Sequence, residues 1–152
     1  SGHLGSLRSL CEGHRRTQRS MAARRRLSMV SILVPDYDEG IRFFTEVCGF
    51  ELVQDRRESE SKRFVVVQPA GAETGIVLAR PTTEEQKMRL GNQLADRVGF
   101  FLHTDNFERD HSRMLAAGVE FLEQPRHEAY GTVAVWRDPW GNKWDLLEPA
   151  AR

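Results

Sequence analysis

Residues 130–149, YGTVAVWRDPWGNKWDLLEP, decide the fold of this chain because they predict a β-hairpin. An apolar run ends at Trp136 and leads into DPWGN, where proline fixes φ and glycine and asparagine tolerate a positive φ. Such residues are typical of a tight reversal between two strands. Because side chains alternate along a strand, Asp145 is predicted on one face of the returning strand, with Trp144 and Leu146 on the other.

An internal repeat extends this pattern to the rest of the chain. Residues 32–52, ILVPDYDEGIRFFTEVCGFEL, align without a gap with residues 101–121, FLHTDNFERDHSRMLAAGVEF. Each copy predicts a strand, a helix capped by Asp36 or Asp38 in the first copy and by Asp105 in the second, and a further strand. With the strands that follow, the two halves are predicted to be βαβββ modules.

The hairpin sequence, written as R-D-P-x-G-N-x-x-D/E-L, resembles the end of a module in the vicinal oxygen chelate superfamily. This superfamily includes glyoxalase I, extradiol dioxygenases and bleomycin-resistance proteins. The resemblance implies an α+β fold in which two βαβββ modules form a curved mixed sheet around a cleft, with the helices outside. Since a single module leaves one sheet face open, the repeat also favours pairing of the two. We expect one domain over residues 29–150, with modules at about 29–80 and 98–149 and a connection at 81–97.

The resemblance also implies four metal-ligand positions, two in each module. Carried over by position, they are occupied by Met29, Val77, Val98 and Asp145. Divalent metals need several nitrogen or oxygen donors, and only Asp145 offers one. We therefore expect no divalent metal of the usual kind and no other cofactor.

Two functions are open from the sequence. One is a metal-independent protein, similar to the bleomycin-resistance branch and dimeric by that resemblance, that binds a small organic molecule. The other is an enzyme, either a glyoxalase-like lyase or isomerase or a dioxygenase, with a non-standard metal site or with Asp145 as general base. The expected cleft residues besides Asp145 are Met29, Leu33, Val77, Val98, Phe100 and Trp136, with Tyr130 at the rim and Arg63 as a ligand for an anionic group.

Two kinds of polar residue need separate interpretation. Alternation counted from Val98 predicts Phe100 on the cleft face and His103 on the helix-covered face, as a structural histidine. Arg63 and Arg137 are candidates for holding an anionic substrate group, because guanidinium groups pair well with carboxylates. Arginines in such positions more often form surface ion pairs.

The first 28 residues differ in charge from the remainder. Among 22 basic and 22 acidic residues in the chain, seven arginines and Glu12 alone fall in residues 1–28. This segment is interpreted as a tag- or vector-derived tail, an organellar leader or, less readily, a nucleic-acid arm, since it lacks aromatic residues for base stacking. No apolar run is long enough to span a bilayer, and two cysteines fit a reducing compartment. We expect a cytoplasmic protein without nucleic-acid or membrane partners.

Overall fold

The computed structural model describes residues 23–151. The interpretations of the basic segment 1–28 therefore concern mostly residues outside the described range. Residues 23–28 are exposed and have no regular secondary structure before the first strand. In the part of the chain that the structure describes, no helix is both long and apolar enough to cross a membrane.

The helices and strands form two βαβββ modules, the second with one additional short strand. The first module contains β1 (Met29–Leu33), α1 (Tyr37–Arg42) continued by a π-helical turn (Phe43–Val47), β2 (Glu51–Arg57), β3 (Arg63–Gln68) and β4 (Gly75–Ala79). A short helix, α2 (Glu84–Met88), lies in the connection. The second module contains β5 (Val98–His103), α3 (Phe107–Ala116), β6 (Glu120–Phe121), β7 (Arg126–Glu128), β8 (Gly131–Arg137) and β9 (Lys143–Pro149).

The strands form two mixed sheets with the same order. The first sheet runs β1-β4-β3-β2 and the second β5-β9-β8-β6, with β7 also pairing with β8. In each module the first strand is parallel to the last, while the other pairs are antiparallel. The predicted α+β fold built from two βαβββ modules is thus confirmed.

The helix caps were predicted correctly in one module and wrongly in the other. Asp36 caps α1, because the backbone N–H of Glu39 donates to its carboxylate at 3.0 Å. In α3 the cap is Asn106, whose side-chain oxygen accepts from the backbone N–H of Arg109 at 3.0 Å. Asp105 instead accepts from the guanidinium of Arg109, so the second helix begins one residue later than the repeat predicts.

A single apolar core joins the two modules. Phe44 stacks on Phe50 of its own module at 5.6 Å and lies 5.9 Å from Trp144 of the other. This core covers the helix side of both sheets. The opposite face of each sheet, called here the open face, carries exposed apolar side chains, with Met29 42% exposed and Phe101 64% exposed.

The buried carboxylate of Asp138 fixes the turn between β8 and β9. One oxygen accepts from the backbone N–H groups of Trp140, Gly141 and Asn142 at 2.9–3.1 Å. The other accepts from the side-chain amide of Asn142 at 3.0 Å and from the indole of Trp144 at 3.1 Å. The DPWGN segment therefore both reverses the chain and ties the turn to the core.

Candidate functional site

Asp145 lies on the open face of the second sheet, in the strand between β5 and β8. Its register neighbours are Val135 on β8 and Phe101 on β5. On the opposite side of the same strand, Trp144 and Leu146 are buried in the core, as alternation predicted. A carboxylate is thus held among apolar neighbours on an otherwise exposed surface.

One carboxylate oxygen of Asp145, Oδ1, is buried and has no hydrogen-bond partner among the described residues. Burial raises the pKa of the Asp145 carboxyl, the charge of Arg126 offsets part of this rise, and Glu123 adds to it. Arg126 is itself bonded to Glu123, with 3.0 Å between Nε and Oε1. The site therefore holds an unsatisfied acceptor, which costs on the order of 1–3 kcal/mol when buried.

The open face of β5 differs from the prediction. Phe101 lies opposite Asp145, and His103 follows two positions later on the same side. A bulge between Val98 and Phe100 adds one residue, so each residue after it lies on the face opposite to the one that alternation counted from Val98 predicts. The prediction that His103 lies on the helix-covered face is therefore wrong.

Phe100 and Trp136, both predicted in the cleft, lie in the core instead. Phe100 stacks on Trp144 at 4.6 Å, and Trp136 is fully buried and stacks on the same indole at 4.9 Å. Because Trp136 is the register partner of Trp144, the β8 residue on the Asp145 side is Val135. Both side chains stabilise the shared core and are unavailable to a ligand on the open face.

Arg63 forms ion pairs, the alternative that the sequence also offered, and does not line the cleft. Its guanidinium donates to Asp55 at 2.6 and 3.0 Å and to Asp38 at 2.9 Å. It lies over the ring of Tyr37, so it belongs to the helix side of β3. With two carboxylates already bound, Arg63 is a structural ion-pair residue.

The remaining predicted cleft residues lie on or beside the open faces. Val98 is the register partner of Lys143 on the Asp145 side of the second sheet. In the first sheet, Met29 and Leu33 alternate with buried Ile32, and Val77 pairs with Ser31 between them. Tyr130 lies in the turn before β8 and is 55% exposed. Their role in ligand binding stays a prediction.

The donor set around these positions does not match a divalent metal site. Within residues 23–151, no three His, Cys, Asp or Glu side chains converge in a way that could hold a metal ion. Met29, Val77 and Val98 stand at three of the four ligand positions that the family implies, and only Asp145 supplies an oxygen donor. Burial raises the pKa of the Cys48 thiol, so Cys48 supplies no thiolate at neutral pH.

Two cavities lie away from the Asp145 carboxylate. One, of about 220 Å³, is at the turn end of β8 and β9 and includes Arg137 and Lys143. The other, of about 550 Å³, lies between α1, the chain leading into β6 and the hairpin turn, with Phe43 and Trp140 in its wall. Asp145 lines neither cavity.

Comparison with known proteins identifies the family to which this fold belongs. The chain belongs to the Glyoxalase/Bleomycin resistance protein/Dioxygenase superfamily, whose family model matches residues 26–146. The resemblance identified from the hairpin motif is thereby confirmed.

Three relatives illustrate this membership. An uncharacterized protein of Shewanella frigidimarina is 44% identical over 121 residues, covering 78% of this chain and 90% of that protein. The crystal structure of UcmS2 is 34% identical with a TM-score of 0.71, covering 83% of this chain and 99% of that chain. TnmS3, an antibiotic binding protein from Streptomyces sp. CB03234, is 27% identical with a TM-score of 0.68, covering 85% and 99% respectively.

Proposed function

We propose that this protein binds a small organic molecule on its open sheet faces without a divalent metal, and that Asp145 anchors the ligand. The observation that carries the proposal is the buried, unpaired Oδ1 of Asp145. Buried polar groups in folded proteins are nearly always hydrogen-bonded, so an orphan acceptor on an open face suggests a partner supplied by a ligand. The antibiotic-binding relative TnmS3 supports the same class of function.

The surroundings of Asp145 indicate what kind of ligand fits. Phe101 and Val135 flank the carboxylate, and Met29 and Val77 lie on the open face of the other module. Apolar burial at about 25 cal/mol per Å² supplies the affinity, and a single charged acceptor sets the orientation. A ligand with an aromatic or aliphatic body and a protonated amine or hydroxyl matches this pattern, because ionised carboxylates only accept hydrogen bonds.

A second copy of the chain is part of the proposal. Small-molecule sites bury roughly 70–90% of a drug-sized ligand, which one exposed sheet face does not achieve. The helix sides of both sheets are already used in the shared core, so the open faces are the surfaces left to close a cleft. A homodimer that packs the open face of one module towards that of its partner covers the 64% exposed Phe101 and the 42% exposed Met29.

The test uses chelator-treated protein and pairs of aromatic compounds that differ only in an amine. Thermal-shift screening followed by calorimetry compares the wild type with Asp145→Asn and with Asp105→Asn, whose side chain is 87% exposed. We expect the amine compounds to bind the wild type and Asp105→Asn at least about tenfold more tightly than Asp145→Asn. Equal affinities for the amine and neutral compounds in all three proteins would refute the role of Asp145.

A second candidate function has one observation in its favour. A carboxyl group with a raised pKa is a better proton acceptor, so Asp145 also suits general-base chemistry. Assays for glyoxalase and dioxygenase activity, run together with elemental analysis, separate the two functions. One equivalent of a transition metal that is lost in Asp145→Ala, or turnover that Asp145→Asn abolishes, favours the enzyme.

A further inference from the structure

A second polar site lies at the turn end of the same hairpin. We propose that the 220 Å³ cavity beside Arg137, called here the anion pocket, binds the carboxylate or phosphate group of a small molecule. Its wall includes Arg97, Arg137, Lys143 and Asp96, together with other residues of the connection and of the hairpin turn. The pocket does not include Asp145, so this inference goes beyond the proposed function and stands independently of it.

The size of the anion pocket suits one charged group. Its volume is about 220 Å³. Pockets for drug-sized molecules are larger, about 300–1,000 Å³. Glycines at positions 91, 99 and 141 form part of the wall, which leaves backbone close to the cavity.

The charges around the pocket are unbalanced towards positive. Three cationic side chains line it, and Asp96 is the one carboxylate among its lining residues. Asp96 is engaged with Lys143, with 2.7 Å between Oδ1 and Nζ. Over residues 23–151, no ion pair involves Arg97 or Arg137.

Arg137 is the residue that most clearly lacks a partner. Its Nε is buried and forms no hydrogen bond within the described chain. Arg63, which also lies at the end of a strand, is bound by two carboxylates. A buried guanidinium nitrogen without an acceptor is unfavourable, and an oxyanion satisfies it because the guanidinium fork matches two oxygens of a carboxylate or phosphate.

The chain entering the pocket is held in an unusual conformation. Ala95 and Asp96, with φ of 48° and 73°, are the two non-glycine residues of the described chain with positive φ. Such conformations are unfavourable for residues with a Cβ and concentrate at ligand sites. Here they directly precede Arg97 and place Asp96 against Lys143, so the Asp96 carboxylate pairs with Lys143 and forms no ion pair with Arg137, whose charge acts on it only from a greater distance.

The experiment is an NMR titration of the ¹⁵N-labelled full chain with sodium phosphate and, separately, with sodium acetate, at constant ionic strength. Arg137→Gln is compared with Arg57→Gln, an exposed arginine on β2 outside the pocket. In the wild type and Arg57→Gln we expect saturable shifts of the backbone amides of Gly91, Gly99 and Gly141. Arg137→Gln is expected to weaken binding at least about tenfold, as loss of a charge-assisted hydrogen bond requires.

The outcomes separate the sources of the anionic group. Tighter binding of phosphate indicates a phosphorylated ligand, and equal or tighter binding of acetate indicates a carboxylic acid. Shifts that grow linearly without saturation, or that persist unchanged in Arg137→Gln, overturn the proposal. If Arg137→Gln does not fold, Arg97→Gln replaces it, because Arg97 is exposed; unchanged affinity in that variant is equally contrary to the proposal.

Discussion

Replacing Asp145 by asparagine is expected to stabilise the folded protein at neutral pH while removing the ligand anchor. The ionised wild-type carboxylate keeps one oxygen buried without a partner, and burial raises its pKa. Asparagine has nearly the same shape and no charge, so the desolvation cost of the ionised group disappears. A residue kept at the expense of stability is typical of a binding or catalytic site.

The magnitude follows from the geometry of the site. A buried unsatisfied group costs about 1–3 kcal/mol and more when it is charged, and the amide that Asp145→Asn introduces stays unpaired, so only the part due to the charge is removed. This part is at the lower end of the range because the Asp145 side chain is only partly buried. We therefore expect the free energy of unfolding to rise by about 1 kcal/mol, which corresponds to a Tm increase of about 3 °C for a domain of this size.

The pH dependence of the free energy of unfolding tests independently whether the ionised Asp145 destabilises the folded protein. Burial raises the folded-state pKa of Asp145 above the ordinary aspartate value of about 3.9. Below that value both states are protonated and the carboxyl carries no charge penalty. As pH rises through the interval up to the folded-state pKa, the folded wild type binds more protons than the unfolded chain and loses stability. The stability gained by Asp145→Asn therefore grows as the pH rises through that interval and is constant above the folded-state pKa.

Urea unfolding followed by tryptophan fluorescence between about pH 3 and pH 8 measures this difference. Asp55→Asn is the matched control with the opposite sign, because the hydrogen bond from Arg63 lowers the pKa of Asp55. Asp55 contributes stability at neutral pH that is lost as pH falls below about 3.9, so its asparagine variant is less stable by up to about 1 kcal/mol. A lower stability of Asp145→Asn at neutral pH, or a difference independent of pH, would refute the reasoning.

Three further substitutions, two of them with a matched control substitution, test the fold and the assembly. Asp138→Asn is expected to lower the free energy of unfolding by about 2–4 kcal/mol, because the new amide group faces two hydrogen-bond donors. The control Asp36→Asn is expected to change it by less than about 0.5 kcal/mol, because asparagine caps helices equally well. Gly91→Ala is expected to lower the free energy of unfolding by about 3 kcal/mol or more, because a Cβ there meets a backbone oxygen at 1.7 Å. The control Gly71→Ala is expected to lower it by about 1 kcal/mol, because Gly71 has a similar φ and open space around it. Urea unfolding measures these four variants. Phe101→Ser is expected to leave stability within about 0.5 kcal/mol and to weaken dimerisation in sedimentation velocity, and unchanged association would contradict an interface at the open face.

The fold was predictable because its determinants are local. The DPWGN turn carries its own buried acceptor in Asp138, and the same chemistry that marks a turn in the sequence holds it in the structure. The face of Asp145 followed from simple alternation in an uninterrupted strand. The family was recognisable from the same twenty residues, since they combine the turn with the ligand position.

The site was harder to predict because one inserted residue exchanges the two faces of the rest of a strand. The bulge before Phe100 carries no sequence mark other than Gly99, and it exchanges the faces of Phe101 and His103 with those of their neighbours. The partners of Arg63 were equally invisible, because Asp38 lies on a helix 25 positions earlier in the chain. Burial, pairing and register in these cases arise from contacts between distant segments.

The connection between the modules contains the features that least follow from sequence pattern. The amide of Gln93 binds the edge of β1, accepting from the N–H of Leu33 at 2.7 Å and donating to the carbonyl of Ser31 at 3.3 Å, so it covers a strand edge that would otherwise be open. At Gly99 an added Cβ would lie 2.6 Å from the side chain of Leu94, so the bulge glycine allows the connection to pack against β5. Ala95, which directly follows Leu94 in the chain, has an unfavourable positive φ of 48°. Residues that break local conformational preferences are expected where function requires them. In this protein such residues surround the anion pocket. A ligand search therefore begins there as well as at Asp145.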